Sequence, residues 1–337
     1  MIRYTLIGSR SKKIAGRNYD MEQKNKRQKI RHSFLLVLTA LIWGTAFTAQ
    51  SAGGDAAGPY TFNCVRSLIG ALVLLPVIRL SDRLSLTKHR PVSRKDWRTL
   101  LAGGTACGVA LAAGSNLQQM GLYFGSSAGK AGFLTACYML IVPVLGLFLH
   151  KKCGWNVWAG IAAAVAGLYL LCIKGDFQIA FSDALLLLCA VVFAVHILVI
   201  DAFAERVDGV RMSCIQFFIC GICSAVPMYL VDIRKTHASD LLSWAAAFAL
   251  PSAWAAILYA GVLSCGVGYT LQILGQQGIN PTIASLLLSL ESVFSVLAGW
   301  VILGEALRGR EILGCVLIFG AVIFAQLPFG ERHRVME

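Results

Sequence analysis

Charge is scarce in this chain: of 337 residues only 14% are Asp, Glu, Lys or Arg, against 57% hydrophobic. A soluble domain carries about 25% charged residues, so the polar surface that water demands is missing, and mean hydropathy is +0.69. Catalytic and metal-binding signatures are missing too. There is no H-E-x-x-H, and Gly114-Ser115 lacks the G-x-S-x-G context of a nucleophile elbow and a placed base. Cys220 and Cys223 form a C-x-x-C, but inside the apolar run 215–231 with no histidine or second pair to complete a tetrahedral site. The eleven cysteines scatter mostly through apolar stretches and read as small packing residues; no metal or cofactor is called for. The longest polar piece is the 32-residue N-terminal tail, too short and too charged for a core, which argues against a sensor or scaffold with a soluble output domain. That tail has no apolar centre, unlike a cleavable secretory signal.

What is abundant is apolar sequence in runs of membrane length. About 20 mostly apolar residues cross the hydrocarbon core as a helix, the form that satisfies every backbone N–H and C=O there. Ten segments qualify: 33–50, 60–80, 100–120, 126–149, 157–173, 183–202, 212–231, 252–274, 282–304 and 311–327. Pro59, Pro251 and Pro281 stand at or just before predicted helix starts, where a missing N–H costs nothing. Trp97, Trp155, Trp158, Trp254 and Trp300 fall near predicted interfaces, which amphipathic rings favour.

The net charge of +13 is distributed by side rather than by face. If loops are assigned alternately from the tail, 23 of the 30 Lys and Arg residues fall on one side and five on the other, with Arg66 and Lys130 inside spans. The positive-inside rule then puts both termini in the cytoplasm. One missed span would exchange every later loop and scramble the bias, so an even count of ten is self-consistent. The basic residues are confined to the tail and short loops and are not interleaved with aromatics on a soluble face, which argues against a nucleic-acid partner.

The ends of the two halves can be superposed. The run from Gly121 through Lys151 and Gly160 matches the run from Gly275 through Glu305 and Gly314 at an offset of 154, with a one-residue slip inside the span. Five spans per half is an odd number, so the second copy enters the membrane inverted. Inverted repeats build transporters whose site lies near midplane between halves that exchange access. The expected fold is an all-α membrane protein of ten transmembrane helices, two inverted five-helix repeats around a central cavity. The expected division is a basic cytoplasmic tail over 1–32, repeats over 33–173 and 174–327, and a cytoplasmic tail over 328–337.

A composite of motifs follows the same order: Trp43-Gly44-Thr45, Phe62 with Arg66, Asn116 with Gly121, Ser127-Ala128-Gly129-Lys130-Ala131-Gly132-Phe133, Pro143, Leu303-Gly304-Glu305, and Gly314 with Gly320. In these the chain resembles the EamA family of the drug/metabolite transporter superfamily, over roughly 33–327. The resemblance implies a ten-helix bundle of two inverted repeats that exports amino acids or other small metabolites. Two departures stand out. Ser292 follows Leu290-Glu291 where the family commonly has proline, putting a helix break in doubt, and His150-Lys151 replaces the Gly-Glu expected after the fourth span.

Ionisable residues inside spans cost about 2.5 to 3.5 kcal/mol on insertion scales and normally face a cavity or a partner. Glu291, nine residues past Thr282, is about 13 Å deep at 1.5 Å per residue; it is the first candidate for proton coupling or cation binding, against a buried structural acid. Arg66, about 9 Å in by the same rise, is placed to hold a substrate carboxylate or pair with Glu291, against a structural anchor. Lys130, near the outer rim, suits snorkelling to water more than lining the cavity. His196, in the sixth span, carries an imidazole suited to a pH-sensitive proton step, although a lone histidine is more often a packing residue. Trp43, Asn63, Asn116, Tyr138, Tyr269 and Gln272 supply groups for a mixed cavity, each balanced against service as interhelical glue. The Gly-rich stretches 101–114, with Gly104-x-x-x-Gly108, and 159–167 allow close helix approach.

The reading is a small-metabolite transporter of the cytoplasmic membrane, an exporter by alternating access with a proton-coupled variant open. Its partners are a small-molecule substrate and the bilayer; a homodimer is compatible with it. The rivals are a membrane enzyme, a sensor, and a channel or lipid or drug flippase.

Overall fold

The computed structural model describes residues 23, 26–46, 58–85, 87, 89–126, 128–151, 153–173, 180–234, 244, 251–303 and 308–327. These residues are helical apart from turns and short connections, with no strand among them. The helices are α1 (26–46), α2 (Pro59–Arg83), α3 (Arg94–Tyr123), α4 (Ala128–Ala136), α5 (Tyr138–Phe148), α6 (Trp155–Cys172), α7 (Phe181–Phe203) and α8 (Gly209–Pro227). After α8 a π-helical turn runs over Met228–Ile233. Then come α9 (Pro251–Leu258), a π-helical stretch Tyr259–Tyr269, α10 (Thr270–Gly275), α11 (Pro281–Leu288), α12 (Glu291–Leu303) and α13 (Gly309–Gln326). The tails expected over 1–32 and 328–337 lie largely outside the described residues, as do Glu305, Lys174 and Lys235.

Helix starts are chemically marked. Pro59 and Pro281 occupy first-turn positions of α2 and α11. Ser93 and Asp96 form a reciprocal capping box on α3, with Asp96 N donating to Ser93 Oγ at 3.1 Å and Ser93 N to Asp96 Oδ2 at 2.9 Å. Asp208 accepts from Arg211 N at 2.7 Å, and Asn280 from Thr282 N at 2.9 Å.

Among the described residues, eight helical stretches are long and apolar enough to cross a membrane, and Trp155–Leu171 is a shorter apolar helix. Their outward faces carry bare apolar side chains such as Leu72, Val226, Val301 and Ile323, and all five tryptophans named above are exposed. A surface of that kind is stable against lipid tails and not against water; the chain is a multi-pass membrane protein.

Small residues let the helices meet closely. A Cβ on Gly108 would stand 2.7 Å from the Gln216 carbonyl oxygen, so α3 lies nearly backbone to backbone on α8, as Gly104-x-x-x-Gly108 predicts. Between α6 and α13, Gly167 faces the Gly314 carbonyl at 2.8 Å, and Gly160 faces that of Ala321 at 3.0 Å, on the same construction. The two ends of the α2–α8 pair are tied by carboxylates. At one, Asp82 accepts from Arg211 Nη2 at 2.5 Å; at the other, Asp232 accepts from Thr61 N at 2.6 Å and Thr61 Oγ1 at 2.8 Å.

The fourth and ninth predicted spans are each interrupted by a short turn. The first breaks at Cys137, between α4 and α5, and the second at Ser289-Leu290, between α11 and α12. The second break forms without the proline that Ser292 replaces. Ser285 Oγ donates to the Thr282 carbonyl and Ser289 Oγ to that of Leu286, both at 2.8 Å, and such back-bonding loosens a helix.

Candidate functional site

Those two breaks set the centre of the molecule. Tyr138 is the first residue of α5 and Glu291 the first of α12, and Tyr138 Oη donates to Glu291 Oε1 at 3.4 Å. Both side chains are buried and face one cavity. Helix α1 presses on the second break: a Cβ on Gly44 would fall 2.5 Å from the Glu291 carbonyl oxygen and 2.7 Å from Phe294 Cβ. Only glycine fits there, and its neighbour Trp43 is thereby turned against Tyr269, with ring centroids 4.4 Å apart.

Seven predicted site residues line this cavity: Trp43, Arg66, Tyr138, His196, Tyr269, Gln272 and Glu291. The Arg66 guanidinium carbon lies 5.1 Å from the centre of the Phe62 ring, a cation–π arrangement. Arg66 is 5% exposed and its Nε has no hydrogen-bond partner among the described residues. Sequence reasoning offered a pairing of Arg66 with Glu291; within the described residues they form no ion pair, and the cavity keeps a cation and a carboxyl group apart. Trp43 Nε1 and Gln272 Oε1 are likewise buried without partners. The floor is completed by His196, whose Nε2 lies 3.2 Å from Gln216 Oε1, in edge contact with Tyr269 at 6.0 Å between centroids.

Three predicted residues lie apart from the cavity, each for a physical reason. Asn63 Nδ2 donates to the Ser115 carbonyl and to Asn116 Oδ1, both at 2.9 Å, while Asn116 Nδ2 donates to Ser224 Oγ at 3.1 Å. These amides clamp α2, α3 and α8 together, the glue reading of such groups. Lys130 does not snorkel free: its Nζ lies 2.6 Å from Asp183 Oδ2, and Asp183 is 1% exposed.

The cavity also takes residues that sequence reasoning passed over, namely Gln118, Thr135, Phe193, Ile197, Ser264 and Leu288. Gln118 Nε2 donates to Thr135 Oγ1 at 3.3 Å. A signal for Gln118 existed: it stands 154 positions before Gln272, the same offset that pairs Gly121 with Gly275. Ile197 and Leu288 carried none, since an apolar residue lining a cavity is indistinguishable in sequence from one facing lipid.

Comparison with known proteins places this arrangement in context. The model of the EamA-like transporter family matches the chain twice, over residues 31–173 and 180–326. The chain is 27% identical over 293 residues to an uncharacterized transporter of Archaeoglobus fulgidus, covering 87% of this chain and 84% of that protein. It is 23% identical over 304 residues to a probable terminal-alkyne amino-acid exporter of Streptantibioticus cattleyicolor, covering 88% and 94% of the two. A crystal structure of a protein at 20% identity superposes with a TM-score of 0.70 over 91% of this chain and 99% of that one, a likeness of fold.

Proposed function

Because the chain belongs to the EamA-like transporter family, we propose that it exports a small metabolite carrying both a carboxylate and an ammonium group, an amino acid or close relative, across the cytoplasmic membrane. The observation that carries this reading is the unmated pair: Arg66 and Glu291, both buried, face the same cavity without bonding each other. Ionisable groups without a partner of opposite charge are expensive in a membrane interior, and a zwitterion offers such a partner to each. The substrate carboxylate meets Arg66 and the indole N–H of Trp43; its ammonium meets Glu291 and the free oxygen of Gln272. The Trp43–Tyr269 pair and Phe193, Ile197 and Leu288 offer an apolar wall to the side chain. The relative named as an amino-acid exporter supports that substrate class. No covalent step is assigned to any residue.

The carrier works by alternating access between two inverted five-helix repeats, ten spans in all: the eight long apolar stretches, the shorter α6, and α1. Several contacts support the two-fold relation. Offsets of 150 turn the Asp82–Arg211 tie into the Asp232–Thr61 tie, and an offset of 154 turns the Gly167–Gly314 contact into the Ala321–Gly160 contact. The two separate matches to one family model support the same division. The bias of positive charge supports cytoplasmic termini. Glu291 is the residue on which proton coupling turns: protonation releases the substrate ammonium, and deprotonation receives the next.

Transport by purified protein in proteoliposomes, with a panel of amino acids and with or without a proton gradient, tests this. Saturable flux of neutral amino acids that a proton gradient drives is the expected result. Flux of none of the panel, or flux of lipid instead, would remove the assignment.

A further inference from the structure

A second cavity lies away from the centre, at the end of the bundle where α2 and α7 finish and α3 and α8 begin. We propose that it binds a phosphate oxyanion, delivered either as an anionic lipid headgroup or as free phosphate. Its polar lining consists of His89, Arg90, Arg206, Asp96 and Asp208, on a floor that includes Leu100 and Val207.

The carboxylates in that lining are already engaged. Asp96 accepts from Ser93 N at 2.9 Å and Val92 N at 3.2 Å. Asp208 accepts from Arg211 N at 2.7 Å and lies 3.5 Å from Arg211 Nη1. Asp82, just behind, is taken by Arg211 at 2.5 Å and by Thr87 Oγ1 at 2.9 Å. The cations are engaged far less. Arg90 reaches Asp82 only at 3.9 Å, with its side chain 64% exposed, and the side chains of His89 and Arg206 have no ion-pair or hydrogen-bond partner among the described residues. Arg90, Arg206 and His89 thus line a hollow whose acids are taken by backbone amides and Arg211. Guanidinium groups match the planar, multidentate geometry of a phosphate. A basic pocket between helices at the cytoplasmic surface lies at headgroup level, where anionic lipid is concentrated; Arg83, Arg94, Lys95 and Arg98 flank it in sequence. The lipid source rests on the membrane orientation proposed above, and the free-phosphate source does not.

The test uses the full chain purified in detergent. Retention of phosphatidylglycerol against phosphatidylcholine is measured by native mass spectrometry, and inorganic phosphate is titrated separately by phosphorus NMR without lipid. Arg206→Gln and the double variant Arg90→Gln, Arg206→Gln are compared with Arg234→Gln, which loses the same charge just past the π-helical turn that follows α8. A cation at an anionic surface changes affinity about fivefold, so each pocket arginine removed weakens binding by about that factor while Arg234→Gln leaves it unchanged. Phosphatidylglycerol bound without inorganic phosphate identifies the lipid headgroup as ligand; phosphate bound without lipid preference identifies the free ion. Equal binding by wild type and both pocket variants, or binding of neither probe, overturns the proposal. Neither readout requires transport, so failure here is distinct from failure of the substrate assignment.

Discussion

At matching places in the two stretches that match one family model, taken as halves, the first carries Arg66 and Tyr138 where the second carries Gln216 and Glu291, at offsets of 150 and 153. Other matching pairs stay close in kind: Trp43 with Phe193, and Gln118 with Gln272, all four lining the same cavity. The packing is similarly conserved between halves, with small residues at the same contacts and a carboxylate tying each end of α2 to α8. On the proposed repeat, the two halves share a scaffold and differ in charge. A fully symmetric cavity has no way to orient a dipolar substrate; one with its cation from the first half and its carboxyl from the second does.

The sharpest way to break this difference is Glu291→Gln, which leaves neither half with an acid at the break. Loss of proton-driven flux to the level of empty liposomes is expected. Unchanged flux with unchanged pH dependence would remove Glu291 from the mechanism. Arg66→Gln makes the first half imitate Gln216. Removing one partner of a buried charged hydrogen-bonded pair costs about 2–5 kcal/mol, so substrate KM should rise at least about thirtyfold, measured as concentration dependence of flux. Arg66→Lys, which keeps the charge and loses the fork, should fall between the two.

Gly44→Ala disturbs the comparison through the backbone. A new methyl 2.5 Å from the Glu291 carbonyl forces α1 off the second break, and overpacking of this kind costs about 1–3 kcal/mol. A lowered Tm in detergent and reduced flux should appear together, whereas Gly320→Ala, which meets nothing within 4 Å, should alter neither. Smallest of the set is Tyr138→Phe, which removes one hydrogen bond to Glu291. At about 0.5–1.5 kcal/mol for such a bond, a change of roughly two- to tenfold in KM is expected, with the fold and the proton dependence retained.

Much of this was legible in the sequence because the bilayer imposes a strong rule: every segment that crosses it must be apolar, helical and about 20 residues long. Most helices begin within three residues of the predicted starts, with Pro59 and Pro281 marking theirs, whereas α1 is helical from 26 and α3 from Arg94, seven and six residues before the expected starts. Expense also made the charged cavity-lining residues legible, since Arg66 and Glu291 stand out in apolar spans. Where the cost was low, the reading was ambiguous. Asn63 and Asn116 could equally clamp helices or line a cavity, and only their mutual 2.9 Å hydrogen bond decides for the clamp. Lys130 was readable as a snorkelling side chain because its partner, Asp183, lies 53 positions on in another helix. The break at Ser289-Leu290 was hidden for a different reason: serines that bond back to their own helix leave no signature comparable to proline.

Efflux of three matched compounds tests the role of Arg66 and Glu291 most directly: leucine, the amine that lacks its carboxylate, and the carboxylic acid that lacks its ammonium, each loaded into proteoliposomes of wild type and Arg66→Gln. Wild type should release leucine and retain the other two, and Arg66→Gln should lose its preference for leucine over the amine. Release of the amine at the rate of leucine by wild type, or undiminished selectivity in Arg66→Gln, would contradict it.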